Sequence, residues 1–140
     1  MTKTPSEIGE RDVQTVTKTG QSVVPTIDGV KTRSTTNHVD HRGSVFEIFE
    51  GENDFFETPL VYAYQFSVRP HLMKGWGVHD HKLDRYTIIS GEIVLFLWDA
   101  RPESPTRDVV QRVVMSDRAV RQVIIPTGVW HISVNLGDEE

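Results

Sequence analysis

From residue 27 onward the chain never holds a helical period for long. Short runs rich in Val, Ile, Phe, Tyr and Thr alternate with turn clusters such as HRGS, GEND, RPHLMKG and ARPESPT. β-Branched and aromatic residues suit a pleated surface, and Gly, Pro, Asp and Ser set the turns between strands. The pattern predicts strands at 29–32, 45–49, 60–68, 86–89, 92–99, 109–115, 121–125 and 130–135, with one helical turn at most in 116–123. The stretch 93–98 is apolar at every position, which predicts a strand covered on both faces. Ser90-Gly91 reads as a tight hairpin between its flanking strands. Many short strands with almost no helix give an all-β sandwich or barrel. The preceding residues, 1–26, are polar and hold two prolines, and read as an arm before a single domain over 27–140.

Composition removes several function classes. The net charge of −5 and pI near 5.6 argue against nucleic acid or an anionic membrane as partner. With no cysteine there is no disulfide, thiolate zinc site or cysteine nucleophile. No apolar run reaches membrane-spanning length and the first residues lack a signal-peptide centre, so a cytoplasmic protein is expected.

Two stretches can carry chemistry. In KGWGVHDHKLDRY, residues 74–86, His79 and His81 lie two apart, and on a strand both imidazoles would share a face. Asp84 adds a carboxylate. In PTGVWHISVN, residues 126–135, a turn delivers His131 into the next strand. Three imidazoles and a carboxylate (His79, His81, His131 and Asp84) suit a divalent metal such as zinc, iron, manganese, nickel or copper. The same groups also suit proton transfer, or a solvated polar rim. The two stretches resemble the paired histidine motifs of the cupin superfamily, which implies a small β-barrel with the site in its mouth.

Further motifs narrow the resemblance. Asp40-His-Arg42-Gly43, Lys74-Gly75-Trp76, Ser90-Gly91-Glu92, Asp99-Ala-Arg101-Pro-Glu-Ser104-Pro105-Thr106 and Ile125-Pro126-Thr-Gly128 with His131 follow one another in order. This order resembles the dTDP-4-dehydrorhamnose 3,5-epimerase family. The resemblance implies an all-β cupin (jelly-roll) barrel, a nucleotide-linked keto-sugar as substrate, no metal or other cofactor, and a homodimer paired through exchanged strands. It implies a histidine base and a tyrosine acid that move protons beside a keto group. It further implies substrate contacts from Arg42, Glu47, Gln65, Ser67 and Lys74, with Arg85 adding positive charge. Trp130 and His131 are the pocket candidates of the second stretch. Gly77 stands where the family keeps its base, so His79 or His81 is expected to replace it. Tyr62 and Tyr64 are the candidate stand-ins for the acid. Three readings follow: an epimerase or isomerase of a nucleotide-linked keto-sugar, a metal-dependent cupin isomerase or oxygenase, and a sugar-nucleotide-binding cupin without catalysis.

Overall fold

The computed structural model describes residues 13–51, 55–119 and 122–140. Part of the predicted arm, residues 1–12, lies outside the described residues. Within these bounds the chain forms β1 (Lys31–Arg33), β2 (His38–Asp40), β3 (Gly43–Val45), β4 (Met73–Gly77), β5 (Asp84–Thr87), β6 (Glu92–Asp99), β7 (Val110–Ser116), β8 (Gln122–Ile125) and β9 (Val129–Val134), and no helix. Every pairing is antiparallel. One sheet runs β4-β9-β6-β7, a second β1-β8-β5, and β2-β3 is a separate hairpin. This is the expected all-β jelly roll, although hydrogen bonds do not join the described strands into a closed barrel.

The core lies between the two larger sheets. Leu95 and Leu97 of β6, Val113 and Met115 of β7, Val123 and Ile125 of β8 and Val129 of β9 form one buried cluster with Ile27. Alternation along β7 shows why: Gln111, Val113 and Met115 are buried while Val110, Arg112 and Val114 are exposed. Ile27 is anchored by its N–H, which donates to Gln111 Oε1 at 2.7 Å.

Four expectations change. Ser90-Gly91 is not a hairpin, because β5 pairs with β8 while β6 pairs with β7 and β9; the turn carries the chain from one sheet to the other. The apolar run of β6 is buried on its inner side only: Trp98 on the outer side is 39% exposed. The run 45–49 leaves the sheet after Val45, and the Ile48 carbonyl accepts from Gln122 Nε2 at 2.7 Å instead. Residues 60–68 form no strand; they wall a cavity. Two strands, β2 and β4, were not foreseen. No helix among the described residues is long and apolar enough to cross a membrane.

Candidate functional site

β4 and β9 run side by side, and Gly77 is the register partner of His131. The inner face of β9 therefore presents His131, buried to 8% side-chain exposure. Beyond β4 the chain bends at Asp80 and His81 before entering β5. Residues 79–81 thus form a connection and not a strand, so the same-face rule does not govern the two histidines. His79 turns toward His131, with ring centroids 5.5 Å apart. His81 is exposed and stays outside that pair, on the cavity wall.

Asp84, first in β5, joins the two rings. Its Oδ2 lies 3.1 Å from His79 Nε2 and 3.3 Å from His131 Nε2, and its Oδ1 lies 3.5 Å from Lys82 Nζ. One donor atom from each of His79, Asp84 and His131 falls within 4.8 Å of the others. His131 Nδ1 is 3.2 Å from the Val129 carbonyl. A carbonyl only accepts, so Nδ1 carries the proton and Nε2 faces Asp84. A bare lone pair opposite a carboxylate oxygen is repulsive, so this contact is favourable with a proton or a cation between the two.

Tyr86 follows Asp84 by two residues on β5 and so shares its face. It stands edge-on to His131 at 5.9 Å and to Phe66 at 5.5 Å. Burial, with the Asp84 charge beside it, raises the phenol above its ordinary range, so it keeps its proton. The sequence reading passed over this tyrosine as an acid. The signal that finds it is its even spacing from Asp84.

A cavity of about 1060 Å³ opens beside Asp84, the one member of the triad that lines it; His79 and His131 stand behind that carboxylate. Asp84, Tyr86, His81, Lys82 and Arg85 line it, and the segment 58–68, with Gln65 and Ser67, forms a second wall. This volume sits at the upper end for small-molecule sites. Arg85 is already engaged: its Nη2 donates to the carbonyls of Phe56 at 2.9 Å and Thr58 at 2.6 Å. It ties the loop at 56–59 to β5. Lys74 Nζ lies 5.7 Å from the Phe66 ring, over its face. Trp130 points to the outer face of its sheet beside Trp98, centroids 6.3 Å apart, on the opposite side from His131. Arg42 is paired to Asp40 at 2.6 Å on the exposed β2–β3 hairpin, and neither it nor Glu47 lines the cavity. Tyr62 and Tyr64 do line it and are largely exposed.

Similar proteins share this architecture. Agl13 of Haloferax volcanii, a probable low-salt glycan biosynthesis epimerase, is 26% identical over 83% of this chain and 75% of its own. A dTDP sugar isomerase from Desulfovibrio desulfuricans G20 superposes with a TM-score of 0.74 at 23% identity, over 81% of this chain and 72% of that one. ChmJ, a 3'-monoepimerase from Streptomyces bikiniensis solved with dTDP-quinovose, superposes with a TM-score of 0.73 at 21% identity, over 83% of this chain and 62% of that one. At such identities the two structures establish the fold. The sequence pattern of the dTDP-4-dehydrorhamnose 3,5-epimerase family matches residues 25–140, and the chain belongs to that family.

Proposed function

We propose that the protein is an epimerase or isomerase of a nucleotide-linked keto-sugar, with His79 as the base. The observation that carries this is the Asp84 carboxylate held between His79 and His131 at the edge of a cavity walled by Tyr86. A C–H beside a keto group is weakly acidic, so it needs a positioned base and a donor for the developing oxyanion. With its Nε2–H on the Asp84 carboxylate, His79 takes the proton at Nδ1, and the C–H electron pair moves to the carbonyl oxygen as an enolate. The neutral Tyr86 phenol stabilises that oxygen by hydrogen bonding. Protonation of the same carbon from the other face restores the ketone with inverted configuration. The phenol supplies this proton; His79 then releases its proton to solvent and the phenolate regains one, which resets both groups. His81, Lys82, Gln65 and Ser67 contact the rest of the substrate from the cavity wall. Family membership, the epimerase name of Agl13 and the dTDP-quinovose held by ChmJ support this substrate class. The test is proton NMR of a dTDP-4-keto-6-deoxyhexose with the protein in deuterium oxide. Loss of the signals next to the keto group, abolished in His79→Asn, is the expected result. Nucleotide binding with no exchange would leave a binding module.

A second reading has its own observation. The 3.1 and 3.3 Å separations between Asp84 and the two imidazole nitrogens match the spacing of neighbouring ligands around a small ion, about 3.3 Å for tetrahedral bonds near 2.0 Å. The His131 Nδ1–H on the Val129 carbonyl is also the outer contact that metal-bound histidines make. His79, Asp84 and His131 would hold a divalent ion, which would supply Lewis acidity to the keto oxygen.

The active form is a homodimer, through the outer face of the β4-β9-β6-β7 sheet. Met73, Trp98, Val110, Val114, Trp130 and Val134 face outward there, with Arg112 among them. An apolar sheet face of this kind favours a second protein surface over water. The acidic, cysteine-free composition suits a cytoplasmic location.

A further inference from the structure

The motif Asp99-Ala-Arg101-Pro-Glu-Ser104-Pro105-Thr106 lines no part of the cavity. It folds into a knot at the end of β6. Asp99 is fully buried and is ringed by donors: Arg101 Nε at 2.8 Å, Arg101 Nη2 at 2.9 Å, Ser104 Oγ at 2.5 Å and Thr106 Oγ1 at 2.7 Å. The knot also holds the turn before β1, since Arg101 Nη2 donates to the Asp28 carbonyl at 2.8 Å and Thr106 Oγ1 accepts from Asp28 N–H at 2.9 Å. Such a dense network around a structural carboxylate fixes the aliphatic stem of Arg101 in one place.

That stem rests on Gly128. A Cβ at residue 128 would stand 2.9 Å from Arg101 Cγ and 3.2 Å from Cδ. Gly128 also has φ of +76°, a conformation that a side chain disfavours. On the other side of the same turn, Pro126 packs over Gly29, where a Cβ would meet Pro126 Cγ at 3.3 Å. The turn at 126–128 is clamped between the knot and the 27–30 turn. Two connections lead from it into the site. The Gly128 N–H donates to the His79 carbonyl at 2.9 Å, and β9 begins at Val129, whose carbonyl holds the His131 ring at 3.2 Å.

We propose that Arg101, fixed by Asp99, is a positioning residue: through Gly128 it sets where His79 stands relative to His131 and Asp84. The proposal rests on the reading of the triad as the reaction centre, but its primary test does not require turnover. His79 lies on the connection between β4 and β5, outside any strand ladder, with a third of its side chain exposed. The hydrogen bond from the clamped turn is its backbone tether.

The test is amide hydrogen exchange and imidazole NMR on the intact chain, comparing Arg101→Ala, Arg101→Lys and Ser104→Ala. In Arg101→Ala the Gly128 amide is expected to exchange at least tenfold faster. The His79 imidazole signals should shift or broaden while the Leu95 and Val113 amides keep their protection. Arg101→Lys retains the stem over Gly128 and should restore most of the Gly128 protection. Ser104→Ala removes one hydroxyl, with its bonds to Asp99, Arg101 and Thr106, but leaves the Arg101–Asp99 pair, and gives a smaller effect of the same kind if Arg101→Ala fails to fold. Where keto-sugar turnover is measurable, kcat falls in Arg101→Ala and KM stays. Unchanged Gly128 exchange and unchanged His79 signals in a folded variant overturn the proposal. So does a uniform loss of protection across the core, which would make the knot a general stabiliser. Absence of turnover in the wild type would sink the enzymatic reading and leave the exchange result standing.

Discussion

Gly77 and His131 face each other across β4 and β9 at close range: a Cβ on the glycine would lie 3.3 Å from His131 Nε2 and 3.7 Å from Cε1. The position where the family resemblance expects a base is therefore held open, and the histidine opposite uses the space to reach Asp84. Gly77→Ala is expected to fold normally and push the His131 ring by a few tenths of an ångström. Small displacements of a reacting group are costly, so exchange into the keto-sugar should fall about tenfold. Proton NMR of the substrate and of the His131 ring checks both halves of this statement.

Asp84 is the carboxylate that both histidines share. Asp84→Asn removes the negative charge and places an amide between two imidazole nitrogens. The expected outcome is a loss of roughly 100-fold or more in proton exchange, the scale of a disabled acid–base group. Nucleotide affinity should change by less than about threefold, because the loss falls on the reacting end rather than on binding energy. A matched loss of affinity and rate would move Asp84 from the chemistry to the binding surface.

Metal content separates the two readings of the triad. Protein purified without a histidine tag and dialysed against a chelator is expected to contain well under one equivalent of metal and to keep its exchange activity. Elemental analysis and the NMR assay measure the two quantities on one sample. Stoichiometric metal that disappears in His79→Ala together with activity would establish the second reading instead.

The buried Asp99 makes stability depend on acid. Hydrogen bonds from Arg101, and then from Ser104 and Thr106, hold its carboxyl well below the usual carboxylate range against the opposing effect of burial. Between the folded value and the unfolded value near 3.9, the unfolded chain binds the proton more tightly. The contribution of Asp99 is therefore complete above about pH 4 and is lost as the pH falls below it. Asp99→Asn should flatten that part of the profile. At neutral pH it should cost about 3 kcal/mol, the lower end for a broken buried pair because the Arg101 side chain is 25% exposed. Urea unfolding across pH 2.5 to about 7 checks both the slope and the offset.

The outer sheet face predicts the assembly state. The wild type is expected to elute as a dimer in light-scattering chromatography. A Val114→Glu and Trp98→Glu double variant is expected to elute as a monomer, since charges at the centre of an apolar contact are strongly disfavoured. Both residues point away from the core, so near-wild-type secondary structure should persist. A dimer that survives both charges would place the pairing surface elsewhere.

The strands that were readable in the sequence are those whose apolar pattern is set by their own burial. β6 matches the predicted run at both ends, and β7, β8 and β9 fall within a residue of theirs. β4 was not readable because MKGWG has two glycines and a lysine; β9 beside it makes it a strand, and that partner is far away in sequence. The opposite failure at 60–68 has the same cause. Its aromatic run favours a strand, but no neighbour among the described residues offers an edge to it. At the site, His79, Asp84 and His131 were all visible as residue types. Their convergence was not, because it depends on the bend at Asp80 and His81 and on the β4–β9 register. Asp84 takes its place as the first residue of β5 rather than as the end of a histidine-bearing strand.

Trp130 and His131 are consecutive residues on opposite faces of β9, one turned to the outer surface beside Trp98 and the other to Asp84. A single peptide plane separates the face proposed for pairing from the proposed reaction centre. A substitution that changes how two copies meet across that face acts on the same strand that carries His131. Under the proposed dimer, subunit pairing and the chemistry at His131 are therefore coupled through one strand. Hybrid dimers of diverged copies should show altered chemistry in both halves.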